Sequence, residues 1–189
     1  MPPDLELRVA RNGRFFWVFR YILLGAYVLL VLSGSTIPPT RVGLSSRNLL
    51  LSTLGGAAIG LLMFLVAKYG RLSLSNTASA RPEAKDAVAV WVTIIVVGAF
   101  CEELWRAYCI VALQADGLNV QNAILLTSAI FAVSQLGGRP SRITADKAQI
   151  IYTGVVGGVL GSLFLVSRSL AAPAFANLLY HLLSLFEFT

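Results

Sequence analysis

The sequence predicts an all-α membrane protein in which residues 1–189 form a single membrane-embedded domain, a polytopic helical bundle of about six transmembrane helices. Composition is the first reason, because 57% of the residues are hydrophobic and only 13% are charged, which is too apolar for a water-soluble domain of this size. The second reason is that the apolar residues form long runs separated by short polar connections. These runs are Phe15–Leu32, Leu49–Ala67, Ala87–Leu113, Val120–Leu136, Ile150–Val166 and Leu170–Phe186.

The basic residues in the connections predict the orientation of the bundle. With six spans, ten of them fall on one side and three on the other, and Lys and Arg accumulate on the cytoplasmic side. We therefore expect an integral protein of a bacterial plasma membrane, with both termini in the cytoplasm. The formal charge of +6 does not indicate a nucleic-acid partner, because the basic residues follow no binding motif. The ten are Arg8, Arg11, Arg14, Lys68, Arg71, Arg81, Lys85, Arg139, Arg142 and Lys147; the three are Arg41, Arg47 and Arg168.

The first, second and fifth runs indicate packing rather than chemistry. The first is longer than the apolar core of a signal peptide, so we expect a retained helix. The second carries small residues between Gly55 and Gly60, and the fifth has two overlapping pairs of glycines four residues apart, Gly154 with Gly158 and Gly157 with Gly161. Small residues at such spacing let transmembrane helices approach each other closely.

The third run contains the charges that need an explanation. Between Ala87 and Leu113 the charged side chains are Glu102, Glu103 and Arg106. An ionised residue in mid-bilayer costs about 2.5–3.5 kcal/mol on insertion scales, so such residues usually pair and face the bundle interior. Glu102 and Arg106 are four residues apart on one helix face, whereas Glu103 lies about 100° around the helix. We expect an ion pair between Glu102 and Arg106, which either fixes helix packing or belongs to a functional site.

The fourth and sixth runs add polar side chains at helical spacing. Phe131 and Gln135 are four residues apart, as are Asn177 and His181, the only histidine in the chain. Taken alone, Gln135 fits an interfacial residue and a lone histidine fits a packing residue. Since three helices each carry such a pair, we expect Glu102, Gln135, Asn177 and His181 to face one interior cavity.

The residue inventory excludes several kinds of hydrolase site. A zinc site of the HExxH type needs two histidines, and an intramembrane aspartyl protease needs two embedded aspartates, which the apolar runs lack. A serine–histidine dyad would pair Ser128 or Ser134 with His181, but neither serine is marked as activated. We expect no metal and no cofactor. What remains is an embedded glutamate that acts as general base on water, while amide and imidazole groups hold the water and the oxyanion.

Three segments resemble, in order, the motifs of the CAAX protease and bacteriocin-processing family of glutamic intramembrane endopeptidases. They are CEELWR at 101–106, FAVSQ at 131–135 and NLLYH at 177–181, and the family motifs are EExxxR, FxxxH, and HxxxN or HxxxD on separate helices. The resemblance implies a protease-like core at about residues 87–189 that uses a membrane-embedded glutamate to hydrolyse a peptide or prenylated protein in the lipid bilayer. The resemblance also implies that the catalytic residues are Glu102, Glu103, Arg106, Gln135, Asn177 and His181.

The first segment is one residue shorter than EExxxR, which leaves two alignments open. Either Cys101 replaces the first glutamate and Glu102 keeps its four-residue spacing to Arg106, or both glutamates are kept and Arg106 is rotated by about 100°. We favour the first alignment, with Glu102 as the base, because it preserves the expected ion pair.

The other two segments depart from the family in their polar residues. Gln135 stands where the family has histidine; it can hold a water molecule but cannot accept its proton. Asn177 and His181 exchange the family's order. These departures support a second hypothesis, a catalytically degenerate relative that acts as a binding or immunity module. A small-molecule transporter is a third interpretation, supported only by the embedded charges because the chain has no internal repeat.

Overall fold

The computed structural model describes residues 22–30, 33–34, 37–44, 48–70, 85–136 and 147–187. Within these residues the chain is all-α, and each predicted apolar run contains one helix. We number the helices α1 to α6, and a short 3₁₀ helix, Pro39–Val42, lies between α1 and α2. The helices are 22–30 (α1), Leu49–Gly70 (α2), Lys85–Ala115 (α3), Val120–Leu136 (α4), Lys147–Ser167 (α5) and Ala171–Glu187 (α6).

Two helices in the described part of the chain are long and apolar enough to cross a membrane. They are Leu49–Gly70 and, within α5, Ile150–Ser167. Only 22% of the apolar stretch of α2 is buried inside the protein, so most of its leucines face outward. A continuous apolar surface of this kind is typical of contact with lipid. The number of transmembrane helices, expected to be about six, stays a prediction.

The most extensive helix contact joins α2 to α6, which are far apart in sequence. Gly60 packs against Ala176 so closely that a Cβ atom on Gly60 would lie 2.5 Å from the Ala176 carbonyl oxygen. Gly56 packs against Ala172 in the same way, so the two helices run parallel. The expected role of the small residues in the second run is confirmed for this pair of helices, and their contact positions α6 against the rest of the bundle.

Helix α3 turns directly into α4. Gly117, at φ 94°, allows its own N–H to donate to the Gln114 carbonyl (3.1 Å) and that of Leu118 to the Leu113 carbonyl (2.9 Å). This pattern is the Schellman motif that ends many helices. The Asn119 Oδ1 then accepts from the Asn122 N–H at 2.8 Å and caps α4. Helices α3 and α4, which contact each other across this short turn, are therefore antiparallel neighbours.

Helix α5 packs against α4 and α2. A Cβ on Gly157 would lie 3.2 Å from the Cα of Ser128, which confirms α5 as a close-packing helix. The Tyr152 hydroxyl donates to the Met63 carbonyl at 3.0 Å and is also hydrogen-bonded to Tyr180 on α6. These buried side chains form an apolar cluster that joins α2, α5 and α6.

Candidate active site

Helix α3 carries its three charged side chains into the interior of the bundle. Glu102 is 6% exposed, and Glu103 and Arg106 are each 1% exposed. They are buried because α4, α5 and α6 all contact α3. Since removing charges from water is costly, such groups persist only when other polar groups compensate them.

Arg106 pairs with Glu103, three residues before it on α3. The Nη1 atom of Arg106 donates to the Oε1 of Glu103. The structure shows this ion pair with Glu103, whereas the sequence analysis expected Glu102 as the partner of Arg106. Both glutamates lie within reach of an arginine that leans toward the preceding turn, and Glu102 is instead turned toward α6.

Asn177 joins α6 to both carboxylates of α3. Its side-chain Nδ2 donates to the Oε1 of Glu103 at 3.0 Å and to the Oε2 of Glu102 at 3.3 Å. Asn177 is buried, and an amide nitrogen has two N–H groups to donate. The structure thus brings Glu102, Glu103, Arg106 and Asn177 together, although 75 positions separate Glu102 from Asn177.

His181 lies one turn beyond Asn177 on α6 and is partly buried. Its imidazole is close enough to the Glu102 carboxylate for an electrostatic interaction. The Tyr180 ring lies edge-on to it, with 5.2 Å between ring centroids. Glu102 therefore has an amide and an imidazole from α6 as neighbours, while Glu103 carries the ion pair with Arg106.

Phe131 contributes a contact that the sequence analysis did not assign to it. The guanidinium carbon of Arg106 lies 4.2 Å from the centroid of the buried Phe131 ring, within the range of a cation–π interaction. The signal in the sequence was an aromatic residue one turn before Gln135. Gln135 itself belongs to α4, but its side chain lies outside the described residues, so its place at the site stays a prediction.

The described residues offer no obvious metal-binding group, since they contain no cluster of three histidine, cysteine, aspartate or glutamate side chains. Cys101, which precedes the two glutamates, packs instead against α1, where a Cβ on Gly25 would lie 3.0 Å from its sulfur.

Comparison with protein-family models assigns residues 84–183 to the type II CAAX prenyl endopeptidase Rce1-like family. The chain belongs to this family. The matched residues are more than half of the chain and include every residue described above at the site. The resemblance inferred from the three short segments is therefore confirmed. Searches of curated proteins and of solved structures found no match.

Membership in the type II CAAX prenyl endopeptidase family places this protein among membrane-embedded proteases. It also allows the two alignments of the first motif to be compared with the geometry. Glu102 and Glu103 both accept hydrogen bonds from Asn177, whereas Cys101 packs against Gly25. The structure places both glutamates beside Asn177, and the alignment of the first motif stays a prediction.

Proposed function

We propose that this protein is a glutamic intramembrane endopeptidase in which Glu102 activates water to hydrolyse a peptide bond within the membrane. This proposal rests on the observation that the Glu102 carboxylate accepts a hydrogen bond from Asn177 and neighbours His181, both on α6. Membership in the type II CAAX prenyl endopeptidase family supports a protease. The geometry supports the choice of glutamate.

The two adjacent carboxylates have different surroundings and hence different roles. Glu103 is hydrogen-bonded to Arg106 and compensates its positive charge, so it maintains the fold of the site. Glu102 instead faces an amide and an imidazole, neighbours that can orient a carboxylate acting as general base. Two carboxylates in one site can have different roles when their environments differ in this way.

In the proposed reaction Glu102 removes a proton from water as the water oxygen attacks the peptide carbonyl carbon. The electron pair of the C=O π bond moves to oxygen and forms a tetrahedral anion. When the carbonyl re-forms, the C–N bond breaks and the leaving nitrogen takes the proton from Glu102. His181 lies within electrostatic reach of Glu102 and is proposed to stabilise its ionised form.

Gln135 is proposed to hold the water molecule. Phe131 contacts Arg106, and α3 and α4 are antiparallel. Gln135 is one turn after Phe131 on α4, and Glu102 is one turn before Arg106 on α3. Because the two helices run in opposite directions, the backbone at Gln135 lies level with that at Glu102. An amide at that level offers the water a donor and an acceptor without competing for its proton.

The proposed substrate is a peptide or prenylated protein whose lipid-anchored C-terminal segment enters the bundle from the cytoplasmic side. The family description supports a prenylated substrate, and the excess of basic residues on one side of the bundle supports cytoplasmic termini and six spans. We further propose a bacterial plasma membrane as its location. We propose no nucleic-acid partner.

The test is hydrolysis of a fluorogenic prenylated peptide by the purified protein in liposomes. Wild type is expected to cleave it, and Glu102→Gln to lose cleavage while keeping its melting temperature. The matched control is Asp116→Asn, which neutralises an exposed carboxylate in the α3–α4 turn and should cleave like wild type. A wild-type protein that binds the peptide without cleaving it would instead indicate the binding or immunity module.

A further inference from the structure

Arg106 has one hydrogen-bonding edge that no described residue uses. Its Nη1 donates to Glu103, but Nε and Nη2 have no hydrogen-bond partner within the described part of the chain. The side chain is almost fully buried. In a planar guanidinium, the N–H of Nε and one N–H of Nη2 point the same way and form a fork that holds an oxygen acceptor between them. The unused donors therefore make one complete bidentate edge.

The contacts of Arg106 hold this fork in a fixed direction. The Phe131 ring covers one face of the guanidinium at 4.2 Å, and Glu103 engages a different edge. Because side chains on a helix lean toward the preceding turn, the guanidinium lies over the turn that bears Glu102 and Glu103. A fixed donor pair in a buried site is the kind of arrangement that stabilises a negative charge as it develops.

Asn177 is not available for that task. Its Nδ2 already donates to both Glu102 and Glu103, which uses its two N–H groups. The peptide oxygen of a bound substrate therefore needs another donor, and the fork of Arg106 is the buried donor pair that the described residues leave without an acceptor.

We propose that the Nε–Nη2 edge of Arg106 is the oxyanion-binding group of this protein, which makes Arg106 a catalytic residue. The proposal rests on the protease function proposed above. When Glu102 takes the proton of water, its negative charge passes to the former carbonyl oxygen of the substrate. The total charge of the site stays the same, and the fork of Arg106 receives the displaced charge. When the C–N bond breaks, the charge returns to Glu102 as its proton moves to the leaving nitrogen.

The decisive variant is Arg106→Lys, which keeps the positive charge near Glu103 but has no fork. We expect kcat to fall by about 100-fold or more, as when an oxyanion donor is removed from other hydrolases, with KM almost unchanged. The matched control is Arg41→Lys at an exposed position, which should behave like wild type. If Arg106 only paired with Glu103, Arg106→Lys would keep kcat within about tenfold of wild type, and the proposal would be wrong.

Binding of a transition-state mimic gives a second readout. A peptide phosphinate carries a tetrahedral anion in place of the scissile amide, so Arg106→Lys should weaken its binding by about the same factor as kcat, while binding of the matched amide peptide stays the same. If Arg106→Lys does not fold, the Glu103→Gln and Arg106→Gln double variant removes the pair without leaving one buried charge behind. That variant is expected to show the same two losses, and retention of phosphinate affinity would overturn the assignment.

The outcomes separate this inference from the proposed function. Absence of peptide cleavage by wild type would overturn both. Cleavage by wild type together with unchanged kcat and unchanged phosphinate affinity in Arg106→Lys would overturn the role of Arg106 alone and leave the protease function standing.

Discussion

Asn177 on α6 donates its side-chain amide to the Oε1 of Glu103 on α3 at 3.0 Å, and it does so inside the bundle where both side chains are buried. The same nitrogen also reaches Glu102. One amide thus compensates two adjacent carboxylates and joins α6, the last helix of the chain, to α3. Asn177 is therefore the residue at which stability and activity are expected to be most closely linked.

Replacement of Asn177 by aspartate should destabilise the protein strongly. A third carboxylate would face Glu102 and Glu103 without an added cation, and an uncompensated buried charge costs about 3–5 kcal/mol. The melting temperature in detergent at pH 7 measures this. The control is Asn122→Asp, the same change at an exposed position in the first turn of α4, which should leave it unchanged. A melting curve of Asn177→Asp that overlays wild type would contradict the geometry.

The two glutamates should respond differently to replacement by glutamine. Glu103→Gln leaves Arg106 buried without its counter-charge, so the free energy of unfolding should fall by about 3–5 kcal/mol and activity should fall with it. Glu102→Gln should abolish turnover with little change in melting temperature. Turnover of the prenylated peptide and thermal melting, measured on the same preparations, decide between them. Full activity in Glu102→Gln would exclude Glu102 as the base.

Phe131→Leu should weaken the site without breaking the bundle. It removes the ring beneath the Arg106 guanidinium, and a desolvated cation–π contact contributes about 2 kcal/mol. We expect a modest drop in melting temperature and a larger drop in turnover, because the guanidinium loses its fixed position. Phe175→Leu, on the outer face of α6, is the control and should have little effect. Equal effects of the two changes would remove Phe131 from the site.

Gly60→Ala should disturb the site from a distance. The new Cβ would lie 2.5 Å from the Ala176 carbonyl oxygen, so α6 must move, and Asn177 is the next residue along it. Gly55→Ala is a matched control in the same helix, because a Cβ there meets nothing within 4 Å, and alanine favours the helix by about 1 kcal/mol. We expect loss of stability and turnover only in Gly60→Ala. If Gly60→Ala kept wild-type stability and turnover, α2 and α6 would be less closely packed than the structure shows.

The topology is testable by cysteine labelling. The connection between α2 and α3, outside the described residues, is expected in the cytoplasm, and the α3–α4 turn on the opposite side. In cells, a membrane-impermeant maleimide should label Asp116→Cys directly and Ser79→Cys only after permeabilisation. Both native cysteines would be replaced by alanine in this background, since Cys109 is only partly buried. Direct labelling of Ser79→Cys would invert the predicted orientation.

The helices and their close-packing faces follow from local sequence. Apolar runs such as Leu49–Ala67 have the length of a membrane span, and helices form along them because backbone polar groups in lipid must be satisfied within the segment. Gly60 marked a close approach, since only a small residue allows it. The spacing of Asn177 and His181 likewise placed both on one face of α6.

Tertiary structure decided which groups meet. Arg106 reaches back over one turn of α3, where Glu102 and Glu103 lie at similar distances, so spacing along the helix does not choose between them. The choice depends on Asn177, which α2 positions through Gly60 and Ala176, and on Phe131 from α4. These contacts join residues far apart in the chain, and each depends on how whole helices pack. The sequence by itself determined the helices and the inventory of polar groups, whereas packing determined their pairing, because pairing energies depend on distances between helices.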